Sequence, residues 1–187
     1  MRVLETELPG VLIVEPDRFG DARGFFQETW HARRYEDAGL PGAFVQDNLS
    51  SSGRGVLRGL HFQHPNGQGK LVYVLAGEVF DVAVDIRVGS PHFGKWTGLI
   101  LSADTGRQLY IPAGFAHGFC VTSEIALFAY KCTNFYDRDS EGTIRWDDPE
   151  IAIDWPMTEP VVSEKDRGAS LLAQFDIARL PRYEDGE

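Results

Sequence analysis

The chain has 187 residues, and its 28 Asp and Glu side chains outnumber its 18 Lys and Arg side chains, so the formal net charge is −10. Proteins that bind nucleic acid polymers need a basic face to neutralise phosphates, so this charge balance argues against that class. Hydrophobic residues make up 43% and aromatic residues 12% of the sequence, which is typical of compact globular proteins. Because this length is usual for one domain, we predict a single domain over residues 1–187.

Glycine and proline recur between short apolar runs along the chain, a pattern typical of an all-β domain with tight turns. Ten strands are predicted, at residues 11–14, 25–28, 44–49, 56–62, 71–75, 79–86, 97–101, 108–111, 118–121 and 125–133. Helical periodicity is scarce, and short helices are predicted only at residues 30–38, closed by Gly39, and at residues 168–175. Residues 183–187 are predicted to form a frayed tail.

The clearest strand pattern lies at residues 79–87. The apolar positions are Phe80, Val82, Val84 and Ile86, and the positions between them are Asp81, Ala83, Asp85 and Arg87. Because successive side chains of a strand point to opposite faces, this alternation predicts a half-buried strand with one core face and one polar face. About ten strands joined by such turns make a sandwich or a barrel, and we predict a jelly roll with a few short peripheral helices.

The two cysteines, Cys120 and Cys132, each lie within an apolar stretch. They are best interpreted as reduced core residues of a protein in a reducing compartment, with a catalytic thiol as the less favoured alternative. The first ten residues lack the apolar run of a signal peptide, and the sequence contains no stretch of about 18 apolar residues. We therefore expect a soluble, cytoplasmic protein that does not bind membranes.

Two spaced motifs carry the residues suited to chemistry. The first places His61, Gln63 and Lys70 after a glycine, and the second ends in Pro-Ala-Gly-Phe-Ala-His at His117. Both resemble the motifs of the cupin superfamily, in which a pair of jelly-roll strands carries inward-facing side chains. Metal-binding cupins hold two histidines and a glutamate in the first motif and one histidine in the second. Here Gln63 takes the position of the second histidine and Lys70 that of the carboxylate.

These two replacements change the predicted chemistry. A divalent metal needs electron-donating ligands, and an ammonium group beside the site repels it, so a metal-dependent cupin dioxygenase is a less favoured alternative. A buried lysine beside a histidine instead suits proton abstraction next to a carbonyl, because the cation stabilises the enolate as charge develops. The motifs therefore predict acid–base chemistry with no metal and no cofactor.

Further motifs along the chain resemble one particular family within this superfamily. The matching blocks are DxRGFFQETW (21–30), QDNLSSSxRGVLRGLHFQ (46–63), QGKLVYVLxGEVFDVAVDIRxGSPxFGKW (68–96), IPxGFAHGF (111–119), YKCTNFYD (130–137), EGTIRWDDPEIxIDWP (141–156) and SEKD (163–166). In this order they resemble the dTDP-4-dehydrorhamnose 3,5-epimerase family over nearly the whole chain. The fold implied is a cupin-type double-stranded jelly roll.

The resemblance implies an isomerase of dTDP-L-rhamnose biosynthesis that inverts C3 and C5 of dTDP-4-dehydro-6-deoxy-D-glucose, giving dTDP-4-dehydro-L-rhamnose. Each inversion needs a base, stabilisation of an enolate at O4, and a proton donor on the opposite face. By position, His61 matches the base, Asp166 the carboxylate that orients it, Lys70 the enolate-stabilising cation and Tyr130 the proton donor. A nearby cation makes a phenol a better acid, and we expect Lys70 to supply it.

The resemblance also implies a nucleotide-binding half and a homodimer. Tyr136 matches an aromatic residue that stacks on thymine. Because N-terminal strands of the family cross to the neighbouring subunit, Arg23 and Glu28 are expected to complete the partner's site. The implied substrate-binding residues are Arg23, Glu28, Gln46, Asp47, Asn48, Arg58, Lys70, His117, Tyr136, Glu141 and Lys165.

Two other functions fit the same residues less well: an epimerase that inverts only C5 or only C3, and a non-catalytic cupin that binds a sugar nucleotide as a sensor. Two positions also have structural alternatives. Arg58 lies three residues before His61, so the two face opposite sides of a regular strand unless a bulge at Gly59 brings them together. Asp166 could serve only to cap a following turn or helix.

Overall fold

The computed structural model describes residues 1–183, which consist mainly of β-strands joined by short loops. The strands in this range are β1 (Arg2–Glu5), β2 (Leu12–Glu15), β3 (Arg18–Asp21), β4 (Gly24–Gln27), β5 (Gln46–Gly53), β6 (Leu57–Gln63), β7 (Lys70–Ala76), β8 (Glu78–Asp85), β9 (Trp96–Ser102), β10 (Gln108–Ile111), β11 (Phe115–Val121), β12 (Ile125–Cys132) and β13 (Glu141–Thr143). The helices are α1 (Ala32–Asp37), α2 (Glu164–Arg167) and 3₁₀ turns at Arg138–Ser140, Leu172–Gln174 and Ile177–Arg179.

The strands form two antiparallel sheets that pack face to face. One sheet has the order β1-β2-β10-β7-β12-β5, the other has the order β13-β6-β11-β8-β9, and a separate hairpin joins β3 to β4. From β5 onward most connections cross from one sheet to the other, as in a jelly roll. The predicted all-β jelly roll with short peripheral helices is therefore confirmed.

The interior between the sheets is filled by the inward-facing side chains of both. Val72 and Phe128 come from the six-stranded sheet, and Val79, Ala83 and Phe119 come from the five-stranded sheet. The rings of Phe119 and Phe128 stack with their centroids 4.1 Å apart. Because side chains alternate along each strand, the polar residues at the same inward positions lie next to this apolar core.

The strand β8 is buried on both faces, so the prediction of a half-buried strand is wrong. Its apolar side, including Val82 and Val84, packs under the chain segment between Ile144 and Leu180, which covers the outer face of the five-stranded sheet. Its polar side points into the barrel, where Asp81 is fully buried. The sequence pattern could not reveal this because the covering segment is distant along the chain.

The element predictions fail where packing or short length decides the structure. The strands β1, β3 and β13 lie outside the ten predicted strands, since each has only three or four residues. The predicted helix at residues 168–175 is wrong: only Leu172–Gln174 forms a 3₁₀ turn, because Leu172 is buried and its N–H donates to Asp148 Oδ2 at 2.7 Å. The helix predicted at residues 30–38 is confirmed as α1.

The remaining predictions concern the C-terminal tail, the two cysteines and the membrane. The predicted tail starts too early, because the Tyr183 N–H donates to the Val88 carbonyl at 3.0 Å; residues 184–187 lie outside the described part of the chain. Cys120 and Cys132 are buried and unpaired, as predicted. Within residues 1–183, no helix has both the length and the apolar character needed to cross a membrane.

Candidate active site

A cavity of about 230 Å³ opens among polar side chains on the inward faces of β6, β7 and β12. His61, Lys70 and Tyr130 each occupy an inward position on one of these strands and line this cavity. The residues that line it are Gln46, Asn48, His61, Phe62, Gln63, Gln68, Lys70, Tyr130, Tyr136 and Glu141. Three of the four predicted catalytic side chains therefore surround one space.

The fourth, Asp166, contacts His61 across 105 positions of sequence. His61 Nε2 lies 2.7 Å from Asp166 Oδ1. The short helix α2 positions the carboxylate, and its cap is Ser163, whose Oγ accepts the Asp166 N–H at 3.1 Å. Burial acts to raise the pKa of Asp166, but the bonds from His61 and Ser163 outweigh it and hold this pKa below its usual range. Asp166 is thus an ionised partner of the imidazole, and the capping role belongs to Ser163.

A β-bulge at Gly59 brings Arg58 and His61 to a common side of β6. The register between β6 and β11 shifts at this point, because His61 pairs with His117 whereas Arg58 pairs with Phe119. Gly59 has a φ of 129°, and a Cβ atom there would lie 2.6 Å from the backbone of β11, so the position requires glycine. The bulge that was needed to join the two side chains is confirmed.

A second cavity of about 330 Å³ lies beside the bulge and shares His61 with the first. Arg58, Lys165 and Asp166 line it as well. The guanidinium of Arg58 is oriented by Ser52, whose Oγ accepts its Nε–H at 3.1 Å. Two cationic side chains therefore stand beside the proposed base, on the side where an anionic group of a substrate can bind.

The ammonium of Lys70 lies inside the barrel, with Nζ 3.5 Å from the His61 carbonyl oxygen. Burial lowers the pKa of Lys70, while the nearby acidic groups Cys132, Asp81 and Glu141 act in the opposite direction. Loss of hydration destabilises a buried ammonium, so it gains more from a nearby negative charge than an exposed one does.

The phenol of Tyr130 also has a shifted pKa. Burial raises it, and the charge of Arg58 acts to lower it. Arg58 is thus a cation that eases proton release from Tyr130, and the expectation that Lys70 does so stays a prediction. Tyr130 shares its inward face with Phe128 and Cys132, which are fully buried, as strand parity predicts.

His117 lies deeper than the residues that line the first cavity. Its ring stacks on Phe128 at a centroid distance of 6.1 Å, and its Nε2 lies 3.1 and 3.0 Å from the two carboxylate oxygens of Asp81. Burial lowers the pKa of His117 despite the opposing effect of Asp81. Asp81 is not among the residues predicted from the sequence, although its place on the polar side of the alternating strand was a usable signal.

The nucleotide-binding candidates on β5, β13 and α2 form a connected polar edge. The Tyr136 N–H donates to Gln46 Oε1 at 2.8 Å, and its hydroxyl donates to Glu141 Oε2 at 3.2 Å. Lys165 Nζ lies 2.6 Å from the same Glu141 oxygen. Because Glu141 lines the first cavity and Lys165 the second, this ion pair links the two. The ring of Tyr136 is 53% exposed and offers a stacking surface.

Besides the deeper His117, three predicted binding residues line neither of these cavities. Asp47 occupies the outward side of β5, where it accepts from Lys131 Nζ at 2.9 Å. Arg23 lies on the β3–β4 hairpin and pairs with Asp21, and Glu28 pairs with Arg34 near α1. Within one chain, the structure does not bring Asp47, Arg23 or Glu28 to the His61 cavity.

Gln63 occupies a position that binds metal in other cupins, and its amide is fully engaged. Its Nε2 donates to the carbonyls of Asn66 and Phe135, and its Oε1 accepts the Asp137 N–H. Gln63 thus fixes the loop that carries Tyr136. Among residues 1–183, no group of three or more His, Cys, Asp and Glu side chains is arranged to hold a metal ion.

Comparisons with known proteins identify the family of this chain. The family model of dTDP-4-dehydrorhamnose 3,5-epimerase matches residues 5–174. The chain belongs to this epimerase family. A relative of that name from Shigella flexneri is 57% identical over 89% of this chain and 93% of its own, and one from Pseudomonas aeruginosa is 54% identical over 94% and 98%.

Solved structures of this family share the fold. The dTDP-6-deoxy-D-glucose-3,5-epimerase of Legionella pneumophila, crystallised with dTDP-4-keto-L-rhamnose, superposes with a TM-score of 0.95 at 56% identity over 98% of both chains. A dTDP-4-dehydrorhamnose 3-epimerase from Streptomyces niveus is more distant, with 42% identity over 98% of this chain and 90% of its own. The family thus includes a protein named for one inversion, and the 3,5-epimerases of Shigella flexneri and Pseudomonas aeruginosa are more similar to this chain than that protein is.

Proposed function

We propose that this protein is a dTDP-4-dehydrorhamnose 3,5-epimerase, an isomerase that inverts C3 and C5 of dTDP-4-dehydro-6-deoxy-D-glucose. The observation that carries the proposal is the convergence of the His61–Asp166 pair, Lys70 and Tyr130 at one cavity. The family membership and the ligand of the Legionella relative identify the substrate class. We also propose that residues 1–187 act as one domain and that the protein works in the cytoplasm, for which its buried free thiols are suited.

The first step of each inversion removes a proton from a carbon next to the C4 ketone. With Nε2–H bonded to Asp166, His61 keeps a lone pair on Nδ1 and accepts this proton. The electrons of the broken C–H bond form a carbon–carbon double bond, and the carbonyl electrons move to O4. Asp166 stabilises the resulting imidazolium, and the ammonium of Lys70 stabilises the enolate oxygen.

The second step returns a proton to the opposite face of the same carbon. Tyr130 donates it, the C4 ketone re-forms, and solvent restores the phenol while His61 releases its proton. Burial raises the pKa of Tyr130, so the phenol stays protonated at neutral pH and is ready to donate. One proton leaves and one arrives at each centre, so the reaction balances without a redox cofactor or a metal.

The nucleotide half of the substrate is proposed to bind along the polar edge beside this cavity. Arg58 and Lys165 supply positive charge for the diphosphate, since guanidinium and ammonium groups form strong charge-assisted bonds with phosphate oxygens. The exposed ring of Tyr136 stacks on thymine. The proposed hydrogen-bonding residues for the base and sugar are Gln46, Asn48, His117 and Glu141.

We propose that the active form is a homodimer in which the N-terminal hairpin of one subunit completes the site of the other. The β3–β4 hairpin exposes Phe19, Phe25 and Phe26 by 66%, 61% and 70%, a cluster that favours burial against another protein surface. Arg23 and Glu28 would reach the partner's nucleotide site with this hairpin. Asp47, on the outward side of β5, is assigned to the same shared region.

The competing functions make different predictions in one assay. The protein is incubated with dTDP-4-dehydro-6-deoxy-D-glucose and a 4-keto reductase that consumes only the epimerised product, and reductant loss is followed. Wild-type protein should turn over and His61→Asn should not. A sensor protein would bind the nucleotide sugar without turnover, and inactivity of a folded wild-type protein would refute the proposed enzyme.

A further inference from the structure

The carboxylate of Asp81 is a fully buried charge that has no assigned role in the epimerisation. It projects from β8 into the barrel, on the inward side that also carries Val79 and Ala83 of the apolar core. Burying a carboxylate is strongly unfavourable unless a partner compensates it. The groups next to Asp81 must therefore stabilise its buried carboxylate.

The neighbour in contact is His117, and it does not neutralise Asp81. Both carboxylate oxygens lie within 3.1 Å of His117 Nε2, so this nitrogen carries the proton and donates it. Burial lowers the pKa of His117, which keeps the imidazole neutral at physiological pH. The bond therefore fixes the tautomer of His117, with an acceptor lone pair at Nδ1, but leaves the negative charge of Asp81 in place.

The cation that this negative charge can balance is Lys70. Three acidic groups act on the pKa of its ammonium, namely Asp81 of β8, Cys132 of β12 and Glu141 of β13. The imidazole of His117 on β11 also interacts with this charge, and the His61 carbonyl oxygen of β6 lies 3.5 Å from Nζ. Glu141 is already paired with Lys165 at 2.6 Å, and burial raises the pKa of Cys132, which keeps its thiol neutral. Asp81 is thus the anion left to balance Lys70.

We propose that Asp81 is a positioning residue of the epimerase, which fixes the His117 tautomer and supplies the buried counter-charge that keeps Lys70 a cation. This inference rests on the proposed function, because it assigns Asp81 to the enolate-stabilising side of that reaction. Asp81 acts through His117 and Lys70, and it does not touch the reacting atoms.

The test compares two isosteric substitutions on the same strand. In Asp81→Asn the counter-charge is lost, so kcat should fall. The alkaline limb of the pH profile, where kcat declines as pH rises, should move to lower pH by about one pH unit, because Lys70 loses its proton at a lower pH. Asp85→Asn is the matched control, since Asp85 is equally buried on the same side of β8 but pairs with Arg87 and Ser90. It should lower stability and leave the alkaline limb in place.

Two further measurements examine the Lys70 charge and the His117 tautomer separately. The double variant Asp81→Asn with Lys70→Arg should lose the shift, because an arginine stays protonated throughout this pH range. Nitrogen NMR of wild-type protein should show His117 protonated at Nε2, whether or not any variant folds. A proton at Nδ1, or an Asp81→Asn alkaline limb that coincides with that of Asp85→Asn, would overturn the inference. Absence of wild-type turnover would instead count against the proposed function and leave the tautomer result standing.

Discussion

His61 Nε2 lies 2.7 Å from Asp166 Oδ1, which ties the strand β6 to the short helix α2 near the end of the described chain. A carboxylate at this nitrogen selects the tautomer that leaves the other nitrogen free to accept a proton. Helix α2 has only four residues, and its cap at Ser163 sets the position of the carboxylate. The chain beyond the last strand is therefore part of the proposed catalytic machinery.

Replacing Asp166 with Asn should lower kcat by roughly 10²–10⁴-fold and change KM little, because an amide favours the wrong imidazole tautomer and cannot stabilise an imidazolium. Steady-state kinetics in the coupled assay measure this effect. Glu164→Gln is the control, since Glu164 lies exposed on the same helix. Equal activity of the two variants would remove Asp166 from the mechanism.

The pH dependence of kcat should report the state of Lys70. Burial lowers the pKa of Lys70 from its ordinary value of 10.5, and the protonated form is the one that stabilises an enolate. Activity should therefore decline on the alkaline side at a lower pH than an ordinary lysine gives. Lys70→Arg should be slower at neutral pH, because the guanidinium differs in shape, but its alkaline limb should lie higher. An unchanged limb would show that another group controls it.

The stacking role of Tyr136 can be isolated by calorimetric titration with dTDP. Loss of the ring in Tyr136→Ala should weaken binding by about 1–3 kcal/mol, roughly 5- to 150-fold in Kd. Phe135→Ala provides a matched control, because Phe135 is the adjacent aromatic residue and is 65% exposed. If both variants bind dTDP as wild type does, the thymine contact lies elsewhere.

The shared site predicts complementation between two inactive variants. Homodimers of Arg23→Glu or of His61→Asn should be inactive, because both of their sites carry the substitution. A mixed dimer has one site in which His61 of one subunit and Arg23 of the other are both wild type. Unfolding and refolding an equal mixture should restore about a quarter of wild-type activity, because half the dimers are mixed and each has one intact site. Arg23 is an exposed surface residue, so its substitution should not disturb folding. A mixture as inactive as its components would place Arg23 outside the partner's site.

Much of the fold could be predicted because its strands carry clear apolar alternation. The strand β10 matches its prediction at both ends, and β7 and β12 match within one residue at each end. The strands that were missed and the helix that was wrongly predicted have physical explanations. The strands β1, β3 and β13 are too short to show a period, and the segment at residues 168–175 is fixed by contacts of Leu172 with a distant outer cluster.

The site was predictable residue by residue, but its geometry was not. Motif positions identified His61, Lys70, Tyr130 and Asp166, and folding brings all four together. Local sequence could not show that the charge of Arg58 opposes the raised pKa of Tyr130, because that depends on the bulge in β6.

The most direct test of the double inversion is incubation of the keto sugar nucleotide with wild-type protein in D₂O, followed by NMR of the product. Protons removed from both carbons next to C4 are replaced from solvent, so deuterium should appear at C3 and at C5 in a product inverted at both centres. Deuterium and inversion at only one of these carbons would contradict the 3,5-epimerase and establish an enzyme of single inversion.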